Sequence, residues 1–258
     1  MIPYDQFGTV YDMIGHDRFS IRMAEYALEI LKKFKFEPHD GLDLCCGTGS
    51  AVRTFADQGI AMSGLDRSPQ MLAIARQKLA NRHVKLYRQE LPRFAIKNAA
   101  SGQHSSVQQF DFVTCFFDSL NYLHDERQLL ATFKAVRRHL RPGGWFIFDM
   151  NTPYHLRVVF TDQRPFSGVR DNVAWIFRNG PTRTPDAADL LLTFFVKHGK
   201  HWQRFDEIHR ERAYSNQVIT SALRDAGFQV KGKYRCLSFE PPTRKTMRVC
   251  FAARRVAV

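Results

Sequence analysis

An apolar strand that opens directly onto a glycine turn, Leu42-Asp43-Leu44-Cys45-Cys46-Gly47-Thr48-Gly49-Ser50, constrains this chain more than any other stretch. Gly47 and Gly49 can adopt positive φ, and without Cβ atoms they let a ligand lie against the backbone. Further along, Gly64-Leu65-Asp66-Arg67-Ser68-Pro69 reads as a second strand ending in a carboxylate, then a helix start. Ser68 suits the cap, and Pro69 suits the first helical position, whose N–H would be orphaned in any case. A carboxylate at that point accepts from a ribose with two free hydroxyls, so the two segments together outline a nucleoside site.

Around this motif the first half of the chain alternates helical and strand periods, the pattern of βαβ crossovers and a parallel sheet. Ile21, Ala24, Leu28 and Leu31 line one face of an N-terminal helix ahead of a strand at 41–46. Further strands are predicted at 84–88, 111–117 and 144–150, with a surface loop over 97–109. Leu129, Phe133, Val136 and Leu140 give an amphipathic helix closed by Arg141-Pro142-Gly143-Gly144. After Asp149 three extended runs follow without a crossover helix, at 173–177, 189–196 and 202–213, which indicates antiparallel strands. A helix resumes at Ser215 and runs through Ile219 and Leu223 to Gly227, before strands near 229–236 and 246–256. Residues 1–154 and 215–258 thus read as one doubly wound α/β domain, and 155–214 as an inserted antiparallel β cap. Such a cap would sit over the carboxyl edge of the sheet as a substrate lid.

Composition narrows the class. A chain of 258 residues with 44% hydrophobic content suffices for one large domain, or a domain plus a cap. No apolar run reaches the roughly 18 residues that span a bilayer, and the first residues do not form a basic-then-apolar leader. A soluble cytoplasmic protein, monomeric or homodimeric, is expected. Five cysteines, mostly inside apolar strands (Cys45, Cys46, Cys115, Cys250), read as reduced core residues, and no metal-ligand spacing accompanies them. The net charge of +13 invites an anionic partner, but the bases are scattered, so nucleic-acid binding is not favoured.

Two nucleotide chemistries compete for the glycine turn. A dinucleotide fingerprint needs a third glycine where this chain has Val52, which weakens a hydride-transfer reading. With Asp43 four residues before Gly47, a carboxylate at Asp66 and an acid after the third strand, the chain resembles the class I S-adenosylmethionine-dependent methyltransferases. Asp43, Gly47 and Gly49 match the first motif of that family, and Cys45 replaces its first glycine. The resemblance continues through Gln89-Glu90-Leu91, Phe110-Asp111-Phe112-Val113 and Leu140-Arg141-Pro142-Gly143-Gly144. Phe117-Asp118-Ser119-Leu120-Asn121-Tyr122-Leu123, Phe148-Asp149-Met150-Asn151-Thr152-Pro153-Tyr154 and Glu207-Ile208-His209-Arg210-Glu211-Arg212-Ala213-Tyr214 are similar to a bacterial small-molecule subgroup with a β-rich insertion. It implies a Rossmann-like seven-stranded sheet with an antiparallel β cap, and S-adenosyl-L-methionine as cofactor.

The same resemblance implies site residues. Asp66 would accept from the ribose hydroxyls and Glu90 from the adenine amino group, with the backbone at Cys45, Gly47 and Gly49 along the methionine part. Tyr11, Arg67, Met71, Gln89, Leu91, Phe116 and Tyr122 complete the expected cofactor wall. A sulfonium already activates its methyl group, so the protein mainly aligns the acceptor and excludes water. Asp118 reads either as a polar contact to the acceptor or as the cap of the next turn. Tyr4 and Tyr11 read either as a flap over the cofactor or as surface aromatics. Glu207 and His209, two apart on a predicted strand, share a face and form either a base pair for the acceptor's proton or a structural pair. Arg212 and Tyr214 either bind an acidic group of the acceptor or brace the cap. The expected activity is methyl transfer to nitrogen or oxygen of a small molecule. RNA modification and non-catalytic binding of the cofactor are the alternatives.

Overall fold

Each amphipathic stretch of the first half resolves as a helix in the computed structural model, which describes residues 4, 6–98, 106–160, 165–180, 184 and 186–256. The first half runs α1 (Asp17–Lys33), β1 (Asp40–Leu44), α2 (Ser50–Ala56), β2 (Ala61–Asp66), α3 (Pro69–Lys78), β3 (Lys85–Arg88), β4 (Phe110–Cys115), α4 (Glu126–Arg138) and β5 (Leu140–Asn151). Three of the helices start on side-chain caps. Ser68 Oγ accepts from Met71 N–H at 3.2 Å for α3, and Asp125 Oδ1 from Gln128 N–H at 2.7 Å for α4. Ser215 does the same for α5 (Asn216–Asp225), accepting from Val218 N–H at 3.1 Å. Of the expected loop over 97–109, residues 99–105 lie outside the described residues.

The main sheet has seven strands in the order β10-β11-β5-β4-β1-β2-β3, where β10 is Phe228–Arg235 and β11 is Arg248–Arg255. It is parallel except for β11, which runs against both β5 and β10. The chain leaves β1 for β2 on one side and later returns to β4 on the other, so the loops after β1 and β4 diverge and open a crevice between them. Leu42, Leu44, Val113, Phe146 and Phe148 are fully buried beneath helices, as a parallel sheet covered on both faces requires.

The remaining strands, β6 (Phe166–Arg170), β7 (Val173–Gly180), β8 (Ala187–His198) and β9 (His201–Arg212), form a separate antiparallel sheet in that order, which serves as a cap. Its apolar face shares a cluster with the N-terminal segment: Phe7, Val10, Tyr11 and Ile14 pack with Trp175, Phe177 and Phe194. Three strands were expected and four are present. The additional one, β6, is an edge strand carrying Gly168, whose Cβ would lie 2.3 Å from Trp175 Cζ2, so its sequence has no clear apolar alternation. The short helix α2 also escapes a periodicity reading.

The Arg141-Pro142-Gly143-Gly144 stretch differs from expectation too. It belongs to β5 as an irregularity: Phe110 pairs with Leu140, yet Phe112 already pairs with Trp145. Arg141 pins this strand start by donating to Asp40 at 2.6 Å and Asp111 at 2.7 Å. Gly144 is needed because a Cβ there would meet the Asp111 carbonyl at 2.7 Å. All five cysteines are free. Among the described residues no helix is long and apolar enough to cross a membrane, and no group of three or more His, Cys, Asp or Glu could hold a metal ion.

Candidate active site

The crevice between β1 and β4 is a cavity of about 1000 Å³, its open mouth included. Its floor is the turn after β1, where the backbone passes through positive φ at Cys45, Gly47 and Gly49. Gly47 N–H donates to Asp66 Oδ2 at 2.9 Å, and Ser68 N–H donates to Asp66 Oδ1 at 2.8 Å. Asp66 therefore holds both turns and still has lone pairs free for a ligand. Asp43 lies beneath, accepting from Thr114 Oγ1 at 2.6 Å. Burial, aided by the charge of Asp66 and opposed by the Thr114 hydrogen bond, pushes Asp43 up to about 7. Burial raises Asp66 as well.

Among the residues expected to bind the cofactor, Tyr11, Asp43, Cys45, Gly47, Asp66 and Arg67 line this cavity. So do Met71, Gln89, Glu90, Leu91, Phe116 and Tyr122. Gly49 does not. It caps α2 with φ +77°, and a Cβ there would lie 2.9 Å from Leu79 Cδ1, so its lack of a side chain serves the packing of α2 against α3. Gln89 is tied at the rim by paired hydrogen bonds to the backbone of Ala95, at 2.8 and 3.1 Å, while Glu90 is exposed.

Asp118 is outside the cavity lining and caps nothing with its side chain. It sits instead in a buried polar cluster that the sequence did not reveal. Arg248 donates to Asp118 Oδ2 and to Asp149 Oδ2, both at 2.5 Å, and its side chain is only 16% exposed. Asp149 in turn accepts Phe117 N–H at 2.7 Å and Asp118 N–H at 3.1 Å, which fixes two consecutive non-glycine residues at positive φ. Asn151 Nδ2 bridges Asp118 Oδ2 and Glu211 Oε2, at 2.8 and 2.7 Å. Burial, then the charge of Asp118, pushes Glu211 up to about 8. The cluster thus places three carboxyl groups around one guanidinium, immediately behind Tyr122 and Phe117.

Glu207 and His209 also lie outside the cavity lining, fully buried and hydrogen-bonded to each other at 2.8 Å. They reach the cavity through two residues of its lining: Tyr122, whose hydroxyl is 2.7 Å from His209 Nδ1, and Tyr4, whose N–H donates to Glu207 Oε2 at 2.8 Å. The cap sheet does not wall the cavity itself. Tyr4 and Tyr11 of the N-terminal segment lie between the two and line the cavity. Asp12 fastens that segment to the turn after β1 through Thr48 Oγ1 and to α3 through Lys78 Nζ, each at 2.7 Å. Arg212 donates to the His124 carbonyl at 2.6 Å and lies over the Tyr214 ring, and Tyr214 donates to the Leu123 carbonyl at 2.6 Å. Both side chains therefore brace the cap against the loop after β4.

A family model described as "Methyltransferase domain" matches residues 42–144, from the glycine turn to the start of β5. A protein of Geobacillus sp. (strain WCH70), provisionally named a methyltransferase, is 30% identical over 257 residues, covering 98% of this chain and 100% of its own length. The crystal structure of an S-adenosylmethionine-dependent methyltransferase from Clostridium acetobutylicum ATCC 824 is 29% identical and superposes with a TM-score of 0.84, covering 98% of this chain and 99% of that one. A dTDP-3-amino-3,4,6-trideoxy-alpha-D-glucopyranose N,N-dimethyltransferase of Streptomyces venezuelae is 24% identical over 227 residues, covering 86% of this chain and 90% of its own.

Proposed function

The chain belongs to the class I S-adenosylmethionine-dependent methyltransferases, and from that premise we propose that it methylates a nitrogen of a small-molecule acceptor beneath its β cap, residues 155–214. The observation that carries this reading is that two buried carboxyl groups, Asp118 and Asp149, share the single guanidinium of Arg248 behind the Phe117 and Tyr122 side of the cavity, with Glu211 joined to them through Asn151 and pushed up to about 8, so that among the described residues no unpaired cation faces this side. Such a field favours an amine over an anionic acceptor. The sugar N,N-dimethyltransferase among the relatives supports the same class of acceptor.

S-adenosylmethionine is the cofactor, and the residues present fit it. A Cβ at Gly47 would meet nothing nearer than Met71 Sδ at 3.9 Å, so the turn leaves room for a ligand against the backbone. The acceptor-only carboxylate of Asp66 suits a ribose diol. When bound, the cofactor supplies a sulfonium methyl, to which the acceptor nitrogen bonds as the carbon–sulfur bond breaks and its electron pair stays on sulfur. The protein's share is to bind, orient and keep water out. Tyr4 and Tyr11 line the cavity from the N-terminal segment, and Phe116 and Phe117 add apolar surface that would help to exclude water.

The charge of +13 does not oppose this reading. One basic group, Lys85, Arg137, Arg138 and Arg255, lines a groove at the amino ends of β3, β4 and β5, the opposite edge of the main sheet from the cavity. Tritiated S-adenosylmethionine incubated with fractionated cell metabolites and with total tRNA tests the proposal. Label is expected in amine-bearing small molecules, and label confined to tRNA would overturn it.

The electrostatics of Asp43 add a second expectation. Its carboxyl group, pushed up to about 7, must be ionised to favour a cationic cofactor. Affinity for S-adenosylmethionine should therefore weaken as pH falls below about 7, by at most about tenfold per unit. Calorimetry at about pH 5.5 and about pH 7.5 checks it, with Asp43→Asn expected to flatten the dependence.

A further inference from the structure

We propose that Tyr4, Tyr122, His209 and Glu207 form a proton relay that is complete only while the N-terminal segment is closed over the cavity. This rests on the reading of the chain as a nitrogen methyltransferase and goes beyond it by assigning the route the acceptor's proton takes.

The order of the relay follows from hydrogen-bond chemistry. Glu207 accepts three backbone donors of the N-terminal segment, Tyr4 N–H on Oε2 and Gln6 and Phe7 N–H on Oε1, all at 2.8 Å. Burial alone would raise this carboxyl, but hydrogen bonds from His209 and those three amides outweigh it and hold Glu207 below its ordinary value. An ionised carboxylate only accepts, so His209 Nε2, 2.8 Å away, must be the donor. In a neutral imidazole Nδ1 is then the acceptor, and Tyr122 donates its hydroxyl proton across 2.7 Å. Tyr122 oxygen can in turn take the proton of Tyr4, whose hydroxyl lies 3.0 Å away. Every donor in the chain thus points away from the cavity, and the end that remains able to accept is the Tyr4 oxygen, on the cavity wall.

The step balances. An acceptor amine, protonated at neutral pH, gives the proton that blocks its lone pair to Tyr4 oxygen before it attacks, the Tyr4 proton moves to Tyr122, and the Tyr122 proton moves to His209 Nδ1. Both phenols end neutral, and the imidazolium is paired with Glu207. His209 is fully buried, edge-on to the rings of Tyr4, Phe7 and Tyr122, with His16 nearby and held neutral by burial. Asp118 and Glu211 act on both phenols from the loop after β4 and from β9.

The coupling to closure lies in Tyr4, which enters the relay by its side chain and holds Glu207 by its backbone. It does so at φ 68°, an uncommon conformation for a bulky residue. Its carbonyl accepts from Ser68 Oγ at 3.1 Å, the residue whose N–H holds Asp66. The segment that completes the relay is therefore tied to the ribose-binding acid, and Glu207 is a positioning residue for both.

The test uses the full chain, labelled with ¹⁵N in its histidines and saturated with S-adenosylhomocysteine. The expected spectrum has His209 protonated on Nε2 and bare on Nδ1. A proton on Nδ1 would overturn the relay, because that nitrogen could then accept nothing from Tyr122. With the tritiated cofactor and a cell-metabolite extract, Tyr4→Phe and Tyr122→Phe should each slow transfer by about 10²–10⁴-fold, far more than either weakens cofactor binding, and the double variant should be no slower than the slower single one. Parent-like turnover in either single variant, or losses that multiply, would refute the series arrangement. The spectrum needs no acceptor, so a failure of the relay is distinguishable from a failure of the methyltransferase reading, which the absence of any transfer by the parent would mark.

Discussion

Asp66→Ala is expected to weaken S-adenosylmethionine binding by roughly 10²–10⁴-fold, whereas His209→Ala, which touches the cavity only through Tyr4 and Tyr122, weakens it far less. The magnitude follows from two hydrogen bonds between a ribose diol and a charged acceptor, about 1.5–3 kcal/mol each. The structure adds a reason for the upper part of that range. Asp66 also receives Gly47 N–H and Ser68 N–H, so its removal loosens both the glycine turn and the start of α3. Calorimetric titration of the two variants, with thermal melts to show that both remain folded, makes the comparison. Equal cofactor affinity in the two would remove Asp66 from the site.

Asp66 was legible because its signal is local. A strand, an acid, a capping serine and a proline follow one another within a few residues, and each dictates the backbone of its neighbour. The same holds for α1, α4 and α5, whose apolar faces recur at helical spacing, and for the Glu207–His209 pair, which strand alternation alone puts on one face. What that face looks toward was not legible. Tyr4 meets Glu207 across 203 residues, so the N-terminal segment that separates the cap from the cavity leaves no pattern in either sequence neighbourhood. Arg248 meets Asp118 across 130 residues, and its only local mark is a guanidinium ahead of the apolar run Val249–Ala253. Gly49 misled for a related reason. It belongs to a glycine motif, but the contact that demands it is with Leu79 of the neighbouring helix.

Arg248→Met should be the most destabilising single change outside the hydrophobic core. Methionine preserves much of the side-chain volume, so the cost is electrostatic: Asp118 and Asp149 lose the shared cation and remain buried, which typically costs about 3–5 kcal/mol. The pH dependence identifies the cause. Burial already raises Asp149 against the pull of Arg248, so in the variant its folded value rises further above that of the unfolded chain. A raised carboxyl makes the native state bind more protons than the unfolded one, and stability then falls as pH rises through that window. The deficit relative to the parent should therefore shrink on acidification and be greatest in alkaline solution. Urea unfolding across the pH range measures it, and a deficit independent of pH would show that lost packing, including the contacts of Arg248 with the Phe19 and Phe117 rings, is the larger effect. Adding Asp149→Asn to the variant should flatten the pH dependence. It should restore only part of the stability, because the Phe117 and Asp118 amides now anchored by both Asp149 oxygens would share a single amide oxygen. Since those amides hold the loop that carries Phe117 and Tyr122 into the cavity wall, and Tyr122 belongs to the proposed relay, the same variants should lose turnover sooner than cofactor affinity.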